Sequence, residues 1–213
     1  TTALAIAKSQ GYGIFAISFD YGQRHKIELD QAKKIACHMA VEEHHIMNID
    51  LRQFGASALT DSIDVPTHRS ETEMSSSIPA TYVPARNTIF LSYALAYAEV
   101  KQCTNIFIGV NSVDYSGYPD CRPEFITAFE ILANLATKAT TEKSIKIQIH
   151  APLMHMNKAE IIKKGLALGV NYGLTHSCYC PNKTGLACGA CDSCLLRLKG
   201  FEKARVKDPL RYC

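Results

Sequence analysis

Ile14-Phe15-Ala16-Ile17-Ser18-Phe19, set off by Gly11 and Gly13, is the stretch on which the fold turns. A short, mostly apolar run after two glycines reads as a buried strand. Residues 27–39 follow with Ile27, Ala32, Ile35, Ala36 and Met39 near helical spacing, so a helix comes next. The same alternation then repeats. Residues 45–49 read as a strand, 88–100 as a helix, 105–110 as a second buried strand, 123–138 as a helix opening on Pro123, and 145–149 as a last strand. Asn157-Lys158-Ala159-Glu160 is a capping-box pattern opening a helix to Leu168, with Gly169 as its stop. Residues 1–7 read as the first turns of a helix that Thr1 or Thr2 caps. Strands and helices in this order imply an α/β fold: a mostly parallel sheet with helices on both faces. Ligands in such sheets sit beyond the carboxyl ends of the strands, which selects the loops after Phe19 and after Gly109.

The chain has 213 residues, is 47% hydrophobic and 20% charged, and carries a net charge of +3. That is enough for one domain with a core and a small appendage. The charge is too modest for a protein built mainly to coat nucleic acid. No stretch reaches the roughly 18 apolar residues of a membrane helix, and no signal peptide is visible. Residues 60–80 stand apart: rich in Ser, Thr, Asp, Glu and Pro, and without periodicity. A loop of this length inside a domain is usually mobile or functional.

The nine cysteines are unevenly spread. Cys178, Cys188, Cys191 and Cys194 fall at metal-ligand spacing, with Cys180 close enough to compete for a place. Cys37, Cys103, Cys121 and Cys213 are scattered. Clustering without a secretion signal favours a reducing, cytoplasmic setting and a metal over a disulfide framework. Four thiolates suit a tetrahedral zinc ion with no open position, which makes the site structural. Gly189 supplies the backbone freedom for the turn between the cysteines. Paired disulfides, free thiols or an iron–sulfur cluster are the alternatives.

Four segments together carry a resemblance. They are Phe19-Asp20-Tyr21-Gly22-Gln23-Arg24-His25, Val83-Pro84-Ala85-Arg86-Asn87, residues 109–122 (GVNSVDYSGYPDCR), and the cysteine tail. The chain resembles the 7-cyano-7-deazaguanine synthases of queuosine biosynthesis over nearly its whole length. The resemblance implies the Rossmann-like adenine-nucleotide-hydrolase fold of the ATP-pyrophosphatase group, over residues 1–175, with a zinc-binding region at 176–213. It implies Cys178, not Cys180, as the first zinc ligand. In the family a Ser-Gly-Gly-x-Asp-Ser loop that cradles pyrophosphate is commonly followed by two threonines, so Thr1-Thr2 implies that the first strand and that loop precede residue 1. The family usually has glycine where Ala85 stands, and Cys180 is an extra thiol.

The resemblance implies 7-carboxy-7-deazaguanine, ammonia and ATP with Mg2+ as substrates, no stable nucleic-acid or membrane partner, and a homodimer. Phe19, Asp20, Tyr21 and Gly22 are expected to wall the nucleotide, and Arg24 and His25 to face its phosphates. Asp20 and Arg24 as mere turn stabilisers are the plainer alternative. Residues 114–122 are expected to form the deazapurine pocket. There Tyr115 and Tyr118 stack on the ring, Asp114 or Asp120 accepts from its amino edge, and Arg122 pairs with the carboxylate. Gly117 shapes the loop. A tyrosine-rich surface loop is the alternative. Asp120, Arg122 and Arg86 are the expected catalytic residues; Arg86 and Asn87 either bind substrate or cap the helix they open. Cys121 reads as structural. Two rivals remain at this point. One is a tRNA thiolation or amidation enzyme of the same group. The other is a zinc-ribbon nucleic-acid module using Arg197, Lys199, Lys203, Arg205, Lys207 and Arg211.

Overall fold

The computed structural model describes residues 1–113, 118–143 and 145–213. They divide into two compact units: Thr1–Pro84 with Asn157–Cys213, and Ala85–Met156. The C-terminal cysteine segment groups with the first unit.

In the first unit the elements are α1 (Thr2–Ser9), β1 (Phe15–Asp20), α2 (Ile27–His38), β2 (Glu43–Asn48) and a short α3 (Glu71–Ser75). β1 and β2 pair in parallel, Phe15 opposite Glu43 through Asp20 opposite Asn48, and α2 packs on both. The expected strand and crossover helix are thus in place. β1 is half-buried along its whole length instead of fully buried, with one strand neighbour among the described residues. The Thr1 side chain makes no capping bond to α1. The Thr2 hydroxyl instead lies 2.7 Å from the Tyr172 hydroxyl, tying α1 to the chain beyond residue 157.

The second unit holds α4 (Arg86–Val100), β3 (Asn105–Phe107), α5 (Pro123–Ala136), α6 (Lys138–Lys143) and β4 (Gln148–His150). β3 and β4 are parallel, and each strand is shorter than its apolar run suggests. Ile108 N–H still donates to His150 O at 2.9 Å, one residue past the last ladder pair. The expected helix 123–138 breaks at Thr137, whose backbone is extended and whose hydroxyl bonds Ala133 O at 3.2 Å. Leu91, Leu95, Ile106, Ile126, Phe129, Ile147 and Ile149 form the core of this unit.

The first unit is completed by α7 (Lys158–Ala167) and α8 (Asp192–Ala204). The Asn157–Glu160 capping box is formed in both directions, at 3.0 and 2.8 Å. α1, α7 and α8 share a core of Ala5, Ala159, Ile162, Tyr172, Phe201 and Ala204. α8 had no apolar signature, because its inward positions are Asp192, Cys194, Arg197 and Gly200 as well as Phe201 and Ala204.

Ala85 is the N-cap of α4 and takes a left-handed backbone, φ +53°. A Cβ is disfavoured there by about 1–2 kcal/mol. Ala85→Gly is therefore expected to raise unfolding stability by up to about 1 kcal/mol, after the entropy of a freer unfolded chain is subtracted. Equilibrium denaturation checks it; a loss of stability contradicts the strain.

Candidate functional site

The β1 strand ends in a tight turn built from its own side chains. Tyr21 N–H donates to Gln23 Oε1 at 2.8 Å, and Gln23 Nε2 donates back to Phe19 O at 3.3 Å. Gly22 has φ +83°, and a Cβ there would lie 2.7 Å from the Arg52 side chain, so only glycine fits. Lys26 Nζ donates to Asp20 Oδ2 at 2.7 Å, and this hydrogen bond holds the Asp20 carboxyl below its ordinary pKa against an opposing effect of burial. Phe19, Asp20, Tyr21 and Gly22 thus form one fixed turn, with Tyr21 buried.

Arg24 Nη2 donates to Asp61 O at 2.7 Å and to Ile63 O, fastening the 60–80 segment to this turn. His25 beside it is partly buried; burial first, and the Arg24 charge second, lower its pKa and favour the neutral imidazole.

In the second unit, Asn87 and Asp120 meet. Asn87 N–H donates to Asp120 Oδ2 at 2.9 Å, and Asn87 Nδ2 donates to Asp120 O at 3.0 Å and to Cys121 Sγ at 3.3 Å. Asp120 thereby caps the first turn of α4, a role the spacing did not reveal. All three residues are buried. Arg122 Nε donates to Pro119 O at 3.1 Å, and the Arg86 guanidinium sits 5.9 Å from the Phe90 ring centre. Tyr118 packs against the core of this unit. Asp114, Tyr115 and Gly117 lie outside the described residues.

The cysteine cluster is the most closely knit group. The sulfurs of Cys178, Cys180, Cys188 and Cys191 all lie within 4.8 Å of one another. Cys194 Sγ is 4.0 Å from Cys188 Sγ and shares hydrogen bonds with Cys178 and Cys191. The geometry thus gathers five sulfurs, and Cys180 is inside the group and not an outlier. The donor set fits a metal ion: a tetrathiolate site with bonds of about 2.3 Å has sulfur–sulfur edges of about 3.8 Å. Backbone N–H groups also aim at the sulfurs, from Cys188 to Cys178 Sγ at 3.2 Å, from Cys191 to Cys188 Sγ at 3.3 Å, and from Tyr179 to Cys191 Sγ at 3.5 Å. Such donors stabilise thiolate charge. Hydrogen bonding among the crowded thiols pushes Cys178 up to about 12 and Cys191 down. Gly189, at φ +73°, makes the turn between the ligands.

This cluster also anchors the 60–80 segment, which the sequence left without structure. Thr67 pairs with Cys191 in an antiparallel bridge, and His68 N–H donates to Ala190 O at 2.8 Å. Arg69 grips the fully buried Asp192 carboxylate through Nε at 3.1 Å and through Nη2. Glu71 pairs with Lys199, and a Ser70–Glu73 capping box opens α3. The Ser-x-x-Glu spacing was the one signal available for that helix. The basic tail is likewise partly spent internally. Arg197 is buried, bonded to Asp208 at 2.7 and 2.8 Å and to Tyr172 O at 3.1 Å, and Tyr212 OH donates to Asp208 at 2.7 Å. Arg197 is therefore no surface contact for nucleic acid. No helix among the described residues is long and apolar enough to cross a membrane.

Arg69→Ala leaves a buried carboxylate without its guanidinium, and the expected cost is about 3 kcal/mol of unfolding free energy. Arg52→Ala, which removes an exposed ion pair with Asp50, is expected to leave stability unchanged. Equal effects in denaturant titrations contradict the anchoring role of Asp192.

The chain matches the family described as queuosine biosynthesis protein QueC over residues 1–205. It is 62% identical over 211 residues to a 7-cyano-7-deazaguanine synthase of Desulfatibacillum aliphaticivorans, covering 99% of this chain and 91% of that one. It is 60% identical to the synthase of Solidesulfovibrio magneticus, covering all of this chain and 90% of that one. The synthase of Myxococcus xanthus is 59% identical, with all of this chain and 92% of that one covered. With its parallel strand pairs, the turn after β1 and the cysteine cluster in place, the chain belongs to the QueC family.

Proposed function

We propose that this chain is an ATP-dependent carbon–nitrogen ligase that converts 7-carboxy-7-deazaguanine and ammonia to 7-cyano-7-deazaguanine. The observation that carries it is the family match over residues 1–205 together with relatives named for that product at about 60% identity.

A carboxylate is a poor electrophile. Attack of its oxygen on the α-phosphorus of ATP gives an acyl adenylate and releases pyrophosphate. Ammonia displaces AMP to give the amide. A second ATP adenylates the amide oxygen, and loss of AMP and a proton leaves the nitrile. The protein's contribution is positioning and charge stabilisation. Mg2+ bound with ATP would supply charge neutralisation for the leaving pyrophosphate.

Within this reading the turn Phe19–Gly22 presents its main chain to the adenine, a task for which its internal bonding makes it rigid. Arg24 and His25 face the phosphates, His25 as a neutral donor, while Arg24 also holds residues 61–63. Asp114, Tyr115, Gly117 and Tyr118 hold the deazapurine. Arg122 pairs with its carboxylate, while Arg86, Asn87 and Asp120 meet its polar edge from the start of α4. The cysteine cluster holds one structural zinc ion. The enzyme works in the cytoplasm as a homodimer.

The test is incubation with 7-carboxy-7-deazaguanine, ammonia and MgATP, followed by mass analysis. Nitrile and AMP are expected; their absence overturns the function. Asp120 separates two roles. Asp120→Ala removes the acceptor at the start of α4 and costs about 1–2 kcal/mol. Asp120→Asn keeps an acceptor oxygen, so it is expected to fold near wild-type stability yet lose turnover. Wild-type turnover in Asp120→Asn removes the charge of Asp120 from the chemistry.

A further inference from the structure

The cysteine cluster contains more sulfur than one tetrahedral ion uses. Cys178, Cys188 and Cys191 are common to two overlapping sets of four. One set is closed by Cys180, whose Sγ is 3.4 Å from Cys188 Sγ. The other is closed by Cys194, whose Sγ is 4.0 Å from the same Cys188 Sγ. Both distances bracket the edge of about 3.8 Å that a zinc tetrathiolate requires. The two fourth positions differ in setting. Cys194 lies in α8 and is 1% exposed, while Cys180 is in the irregular chain before Pro181 and is partly exposed. Cys180 N–H also donates to Cys178 Sγ at 3.4 Å, so the Cys178–Cys180 segment curls around the shared face.

We infer that Cys180 and Cys194 are alternative fourth ligands, so that the metal is held through either of two tetrathiolate sets. Cys180 is the outer one, at which an ion enters or leaves, and Cys194 is the inner one, fixed by α8. In the exchange one metal–sulfur bond forms as another breaks, and the proton on the incoming thiol passes to the departing sulfur. Ligand number and charge do not change. A four-coordinate site surrounded by only four thiols has no such path, because the ion must first lose a ligand to water.

This inference rests on the reading of the cluster as a zinc site. Cobalt(II) is the probe, since the intensity of its sulfur-to-metal charge-transfer band grows with the number of bound thiolates. Wild type, Cys180→Ser and Cys194→Ser are each expected to bind one ion with the four-thiolate spectrum. The double variant is expected to show the three-thiolate spectrum. A Cys194→Ser spectrum equal to that of the double variant overturns the inference alone. A wild-type chain that takes up no cobalt overturns the metal reading and this inference with it. Because Cys194 is buried, replacement by cadmium of the zinc in wild type and Cys180→Ser, followed by native mass spectrometry, provides a readout that does not need Cys194→Ser to fold. Exchange several-fold slower in Cys180→Ser is expected; equal rates overturn the inference.

Discussion

Sulfurs held within 4.8 Å of one another cannot all carry charge without a cation between them. That constraint organises the first unit. Without an ion, thiols this close hydrogen-bond to one another and share protons. With an ion, mutual repulsion becomes common attraction, and apparent binding free energies of about 10–16 kcal/mol become available to the fold. Few other interactions in a chain of this size approach that figure.

The consequence reaches beyond the cysteines because Cys191 does three things. It lies in the sulfur group, it is the N-cap of α8, and it bridges to Thr67. Asp192, the next residue, is gripped by Arg69. The polar segment 60–80 is therefore laid against the cluster at 67–71 and against the β1 turn at 61–63, where Arg24 holds its carbonyls. A largely polar segment is thus tied to the cysteine region at one end and to the Arg24 guanidinium at the other. The turn that the proposed chemistry assigns to the nucleotide is thus connected through Arg24 to the metal region. The buried Arg197–Asp208 pair and Tyr212, which also packs against the cysteine cluster, close the C-terminal residues onto the same helix.

Much of this was legible in the sequence for a physical reason. Apolar runs and helical spacing report burial, so β1, α2, α4, α5 and α7 could be placed, and the Asn157–Glu160 box fixed the start of α7. The cysteine spacing pointed to a clustered thiol group that fits a metal ion, and the sulfurs do cluster. What failed to show were elements whose inward faces are not apolar. α8 buries Asp192, Cys194 and Arg197, and periodicity cannot find a helix of that kind. The hold of Arg24 on residues 61–63 could not be read from the sequence because its partners there are main-chain carbonyls, which have no residue signature. Asp120 looked purely chemical because the helix end it caps begins more than thirty residues earlier in the chain. Spacing also cannot rank Cys180 against Cys178 and Cys194, since the loop brings all of them within reach.

The claim at the centre is that the metal cluster orders the 67–71 segment. Amide hydrogen exchange before and after removal of the metal by a chelator tests it most directly. The amide of His68, which donates to Ala190 O, and its neighbours are predicted to exchange many-fold faster in the metal-free protein, while the amides of α5 in the second unit keep their protection. Unchanged exchange at His68 after verified loss of the metal contradicts the account.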